Sequence, residues 1–321
     1  MGAEPLDIAP AAAPWPRLPG ARRWSAAVFA RNEAASIGDC LRALARAGAT
    51  EATVIVNGST DGSVTVAADA MRQSGLPGRV YEIAFADKSN AINQYLHVLR
   101  PAAEMHVFTD AYAAVSPDSL RRLSARLADP QALAAAAVPD SGRSAAAIRQ
   151  GMMASPGLHG SLFALRGDFV ERLAASGLRL PLGLYRGDGL LGSFVMHDLD
   201  ALGNPWGPPR IAVEPEARWK TRPLRPWRPA DLRRHWHRLL QQGRGRLESA
   251  AIRHAIYAGG FGALPATTER LVLDWLDARP DAAPDARRDP LAAIALRRIR
   301  RAGPAPGEDA LRPRLVAAVG R

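Results

Sequence analysis

The chain has 321 residues, 47% of them hydrophobic, with a formal net charge of +11 and a single cysteine. That length and apolar fraction support one large α/β domain with a helical appendage, and the lone Cys40 excludes an internal disulfide. No apolar run nears the roughly 20 residues of a membrane helix, since even Ala132–Val138 stops at Pro139.

The opening stretch, residues 1–22, is rich in Ala and Pro, carries Glu4 and Asp7 and lacks a basic start, so a mobile tail is expected rather than a signal or transit peptide. A buried strand is expected over Ser25–Ala30, then a helix over Ala35–Ala47 in which Ile37, Cys40, Leu41 and Leu44 repeat at helical spacing. Ala52–Val56 reads as a second strand, with Val64, Ala67, Ala68 and Met71 marking the buried face of the helix after it. Arg79–Ala84 reads as a third, followed by a helix capped by Ser89, and Met105–Thr109 as a fourth. Ser116-Pro117-Asp118 has the form of a helix start. This alternation is the rhythm of a mostly parallel sheet flanked by helices. The expected division is a tail over 1–22, an α/β domain over 23–215, a basic helical segment over 216–262 and a C-terminal helical extension over 263–321.

Each expected strand is followed by a polar loop. The loops are Ala30-Arg31-Asn32-Glu33, Asn57-Gly58-Ser59-Thr60-Asp61-Gly62-Ser63, Asp87-Lys88-Ser89-Asn90-Ala91-Ile92-Asn93 and Thr109-Asp110-Ala111-Tyr112. An open α/β sheet builds its ligand crevice at the carboxyl ends of its strands, so these loops are the candidate site. Lys88 stands out because arginine occurs forty times and lysine only at Lys88 and Lys220, which points to a need for a compact ammonium. Further along, His159-Gly160-Ser161 enters an apolar segment, and Asp188 lies between Gly187 and Gly189 at the start of an apolar helical run. Taken singly, Glu33 and Asp188 are ordinary helix caps and the Asn57–Ser63 loop an ordinary turn.

In their order and spacing these loops resemble the nucleotide-sugar-binding half of the family-2 glycosyltransferases of the GT-A (Rossmann-like) fold, over about Ser25 to Arg246. The resemblance implies a donor nucleotide held by Glu33, Asn57, Asp61, Lys88, Asn93 and Asp110. It places His159, Gln242, Arg244 and Arg246 at the diphosphate or acceptor, and Asp188 as the base of an inverting transfer. The family's Asp-x-Asp binds Mg²⁺ or Mn²⁺. Here Asp110-Ala111-Tyr112 keeps only Asp110 as a metal ligand, because a neutral phenol is a poor ligand for a hard divalent ion. Three readings stay open: a metal held by Asp110 and diphosphate, arginines in its place, or lost catalysis.

The implied partners are a nucleotide-sugar donor and a saccharide, lipid-linked or small-molecule acceptor. One cysteine fits a reducing, cytoplasmic location, with peripheral contact at the inner membrane face left open. From Arg218 to Arg253 eleven Lys or Arg residues face only Asp231 and Glu248, which leaves nine of the net charges there. With Trp227 and Trp236 inside it, this segment also keeps a nucleic-acid-binding reading open. His235 and His237 would point apart on a helix and are not read as a metal pair.

Overall fold

The structure is a computed structural model that describes residues 23–142, 144–222, 229–280, 289–301, 303 and 305–320. The expected N-terminal tail lies outside these residues, as do Trp227 and the side chains of Arg233, Arg234, His235 and His237.

Among the described residues nine strands form one sheet. In chain order they are β1 (Trp24–Ala30), β2 (Glu51–Asn57), β3 (Gly78–Ile83), β4 (Met105–Asp110), β5 (Ala113–Val115), β6 (Ala134–Pro139), β7 (Phe163–Arg166), β8 (Ile211–Thr221) and β9 (Arg314–Val319). The spatial order is β5-β8-β6-β7-β4-β1-β2-β3-β9. Its centre, β4-β1-β2-β3, is parallel throughout, so the loops after these strands gather at one edge. Toward both ends antiparallel strands enter, with β7 beside β4 and β9 beside β3.

Every residue of β1 and β2 is buried, the pattern of strands covered on both faces. Side chains alternate between two cores. Ala27 and Phe29 of β1 join one core with Ile55, Ile83 and Phe108, while Ala26, Val28 and Ala30 join the other with Val54 and Val56. Helices α1 (Ile37–Arg46), α2 (Ser63–Ser74) and α4 (Ser119–Arg126) cover the second core. The first is covered by α3 (Lys88–Gln94), α6 (Gly167–Ser176), α7 (Gly187–Met196), α8 (Pro229–Gly259), α9 (Thr268–Ala278) and α10 (Pro290–Arg300). The remaining helices are α5 (Ala145–Ala154) and α11 (Glu308–Leu311). No described helix is long and apolar enough to cross a membrane.

Three expectations are corrected. The C-terminal extension is not helical throughout, because β9 adds antiparallel to β3 and Arg314 ion-pairs with Glu82. A short apolar run does not by its periodicity distinguish strand from helix, and the edge of β3 decided it. The cap of α3 is Asp87, whose carboxylate accepts from the Asn90 amide at 3.0 Å, while the Ser89 hydroxyl donates to the Leu184 carbonyl at 3.0 Å. Helix α4 starts at Ser119, after the expected Ser116 cap.

His106, on β4, is fully buried, its Nδ1 2.8 Å from the Tyr95 hydroxyl. Burial lowers its pKa to about 4. The unfolded chain therefore binds an extra proton below its ordinary pKa of about 6.5, and stability falls as pH drops from there toward about 4. Thermal melts between pH 7.5 and 4.5 should show a steeper acid loss for the wild type than for His106→Gln, by roughly 2 kcal/mol. Parallel curves would remove His106 as the cause.

Candidate functional site

The loops after β1 and β2 are laced together. The Asn32 amide, at φ 55°, donates to Ser59 Oγ at 2.9 Å, and Asn32 Oδ1 accepts from the Thr60 amide at 2.8 Å. Glu33 donates its amide to Ser63 Oγ at 2.9 Å, and its carboxylate accepts from the Ser36 hydroxyl. Asp61 accepts from the Ala34 amide at 3.0 Å, from the Ser63 amide at 3.0 Å and from Ser63 Oγ at 2.5 Å. Its small burial would raise its pKa, but these hydrogen bonds outweigh it and hold the carboxyl below the usual range. Both acids thus stand in one rigid rim. Gly58, at φ 53°, could not carry a Cβ because Ala86 occupies that space.

Asn57 is buried and donates Nδ2 to the Ala30 carbonyl at 3.0 Å, clipping β2 to β1. Asn93 is also buried, and its amide makes a closed pair with Leu180, donating to its carbonyl and accepting from its N–H, each at 2.9 Å. A side-chain amide so paired has its main donor and acceptor committed. Asn57 thus braces the rim from behind, and Asn93 ties α3 to the segment before α7.

The centre lies where β4, α3 and α7 meet. Lys88, at the start of α3, ion-pairs through Nζ with Asp110 Oδ1 at the end of β4. Tyr112 donates its hydroxyl to Asp110 Oδ2 at 2.7 Å. Asp188, in the first turn of α7, accepts from the Gly160 amide at 2.8 Å and from the Gly189 amide at 3.0 Å. Gly160 measures the convergence: a Cβ there would lie 2.9 Å from Lys88 Nζ and 3.4 Å from both Asp110 Oδ2 and Asp188 Oδ2. The two carboxylates are therefore no further apart than twice that distance, with the ammonium beside them. Burial alone would lower the Lys88 pKa, but Asp110 and Asp188 outweigh it and hold it above the ordinary value. Burial and the Asp110 charge push the Tyr112 phenol well above its ordinary pKa, so it stays a neutral donor. Beside this group His159 stacks on the buried Trp219, with ring centroids 4.8 Å apart.

The loop carrying Asp188 is gripped from both sides. From α3, Asp87 accepts from the Gly183 amide at 2.5 Å. From α8, Glu248 accepts from the Tyr185 amide at 3.0 Å, and Arg244 donates to Glu248 at 2.7 Å and to the Gly183 carbonyl at 2.5 Å. Glu248 is fully buried (0% exposed). Burial raises its pKa against the opposing pull of Arg244. Arg244 is thus a clamp on this loop, and Arg246 pairs with Asp289 at the cap of α10. Gln242 is exposed on α8. The intervening glycines serve close packing: a Cβ on Gly243 would run into Leu291 at 2.5 Å, and one on Gly245 into Arg186 at 2.8 Å. Sequence reading missed Asp87 as the cap and Glu248 as the clamp, although Glu248 was visible as one of only two acids in the basic segment.

These residues fit a divalent cation poorly. Both oxygens of Asp110 already have protein donors, and among the described residues no group of three His, Cys, Asp or Glu side chains could hold a metal ion.

Residues 25–173 match the model of Glycosyl transferase family 2. No match was found among curated proteins. Among solved structures, the mannosyltransferase PcManGT from Pyrobaculum calidifontis, in complex with GDP-Man and Mn²⁺, is 21% identical with TM-score 0.57, over 94% of this chain and 80% of that one. Glucosyl-3-phosphoglycerate synthase from Mycobacterium tuberculosis, in complex with Mn²⁺, UDP-Glc and phosphoglyceric acid, is 19% identical with TM-score 0.46, over 64% of this chain and 73% of that one. S. aureus TarS with UDP-GlcNAc is 15% identical with TM-score 0.45, over 63% of this chain and 59% of that one.

Proposed function

We propose that this chain, a glycosyltransferase carrying a family-2 domain over residues 25–173 in a GT-A fold, moves a sugar from a nucleoside diphosphate donor to an acceptor hydroxyl with inversion. The observation that carries the reading is the convergence of Lys88, Asp110 and Asp188 around Gly160 at the carboxyl edge of the parallel strands. A crevice at that edge suits a nucleotide.

The rim formed by Glu33 and Asp61 receives the base and ribose, and its preset hydrogen bonds reduce the ordering needed on binding. Asn57 supports that rim and Asn93 the segment before α7, rather than touching the donor. The diphosphate lies toward Lys88, with His159 on the acceptor side. The acceptor oxygen forms its bond to the anomeric carbon as the bond from that carbon to the diphosphate oxygen breaks. The electron pair of the broken bond leaves on the diphosphate, and the acceptor proton passes to the Asp188 carboxylate. Two backbone amides aim that carboxylate. The acceptor is a saccharide, a lipid-linked saccharide or a small molecule.

A thermal-shift panel of UDP, GDP, dTDP and CDP sugars, GDP-mannose and UDP-glucose included, tests the donor. One base should raise the melting temperature, since ligand at about 100 times its Kd adds about 2.7 kcal/mol of stability. No response to any member, with and without Mn²⁺, would sink the assignment. A donor that binds but is never consumed across acceptor mixtures would instead favour a silent binding protein.

A further inference from the structure

We infer that the Lys88 ammonium fills the cation position of this site, so that nucleoside diphosphate binds and leaves without a divalent metal ion. The inference rests on the nucleotide-sugar reading and departs from the expected use of Mg²⁺ or Mn²⁺ at Asp110.

Three independent features support it. The first is the occupancy of Asp110. It is 7% exposed, and its two oxygens face Lys88 and the Tyr112 hydroxyl, so an incoming ion would have to displace a charged partner and a phenol together. Tyr112 is 39% exposed as a residue, yet its hydroxyl points inward at the carboxylate. A tyrosine in that orientation is a donor that finishes Asp110, not a ligand that completes a metal shell.

The second is the position of Lys88. It starts α3, where the helix dipole disfavours a cation, so its retention requires a compensating anion, and Asp110 and Asp188 supply two. One ammonium between two carboxylates leaves the cluster anionic in charge count. The ammonium has three donors, and the Lys88 side chain is 40% exposed. A phosphate oxygen can approach from that exposed side. A compact point charge suits a position shared by two carboxylates better than a planar guanidinium, which accounts for lysine in a chain that uses arginine almost everywhere else.

The third is the fate of the arginines. Arg244 is committed to Glu248 and Gly183, and Arg246 to Asp289. The alternative of leaving-group stabilisation by the basic segment thus loses its two named residues, and the role passes to Lys88. When the donor's anomeric bond breaks, the negative charge growing on the diphosphate oxygen meets an ammonium already in place.

The test uses the full chain and two probes, Mn²⁺ alone followed by electron paramagnetic resonance, and the nucleoside diphosphates UDP, GDP, dTDP and CDP followed by calorimetry. Wild type should take up little Mn²⁺, whereas Lys88→Met, which frees both carboxylates, should bind it roughly tenfold more tightly or better. Asp110→Asn added to Lys88→Met should remove the gain. Nucleotide affinity should be unchanged by EDTA in wild type and fall ~10-fold or more in Lys88→Met. Lys88→Arg should recover part of that loss, which a purely structural role would not predict. Mn²⁺ binding by wild type as tight as by Lys88→Met would overturn the inference, as would wild-type nucleotide binding that EDTA abolishes and Mn²⁺ restores. If wild type binds no nucleotide under either condition, the glycosyltransferase reading falls as well. The wild-type measurements decide the matter even if a variant does not fold.

Discussion

Asp188→Asn is expected to lower kcat by ~10²-fold or more while donor affinity stays within about twofold of wild type. The replacement keeps the size of the side chain and an oxygen able to accept from the Gly160 or Gly189 amide, so position is retained. Proton acceptance is lost. An effect confined to turnover is the signature of an interaction made in the transition state. Single-turnover transfer measured beside a nucleotide titration separates the two quantities. Near-normal turnover would reduce Asp188 to a helix-start residue that binds two amides.

Glu248→Ala should be the most destabilising of the site variants, at about 3 kcal/mol by urea unfolding. The carboxylate is fully buried, and its removal strands the Arg244 cation and the Tyr185 amide it had satisfied. Arg244→Ala should cost less, because a raised-pKa carboxyl can take up a proton when its partner goes. The double variant should cost less than the sum of the singles, since the same pair is broken in each. Strict additivity would show that Glu248 and Arg244 do not act as one clamp. A loss of nucleotide affinity in Arg244→Ala with undiminished stability would return the arginine to the diphosphate.

The alternation of strands and helices through β4 was legible in the sequence because the strands read as short continuous apolar runs and the helices as apolar stripes at helical spacing. The loops were legible as a site for a related reason. Carboxylates, amides and a lone lysine following apolar strands have little to do in a core, and parallel pairing of β4-β1-β2-β3 carries their loops to one edge. Even Asp188 was locatable, as a carboxylate between glycines at a helix start.

What the sequence could not supply is which polar group each side chain would meet. Asn57, Asn93, Arg244 and Arg246 have the chemistry of ligand-binding residues, and the fold gives them the Ala30 carbonyl, the Leu180 backbone, Glu248 with Gly183, and Asp289. A hydrogen bond depends on angstrom-scale proximity between groups far apart in the chain, and no local pattern encodes that distance. The same limit hid Glu248 and made Tyr112 look like a missing metal ligand rather than a donor to Asp110. It also hid β9, whose short run became a strand because β3 offered it an edge. The sequence by itself determined the order of elements through β4 and the residue types gathered in the loops after those strands. The tertiary structure decided which polar groups each of those residues meets, because their burial and partners are set by contacts across the fold.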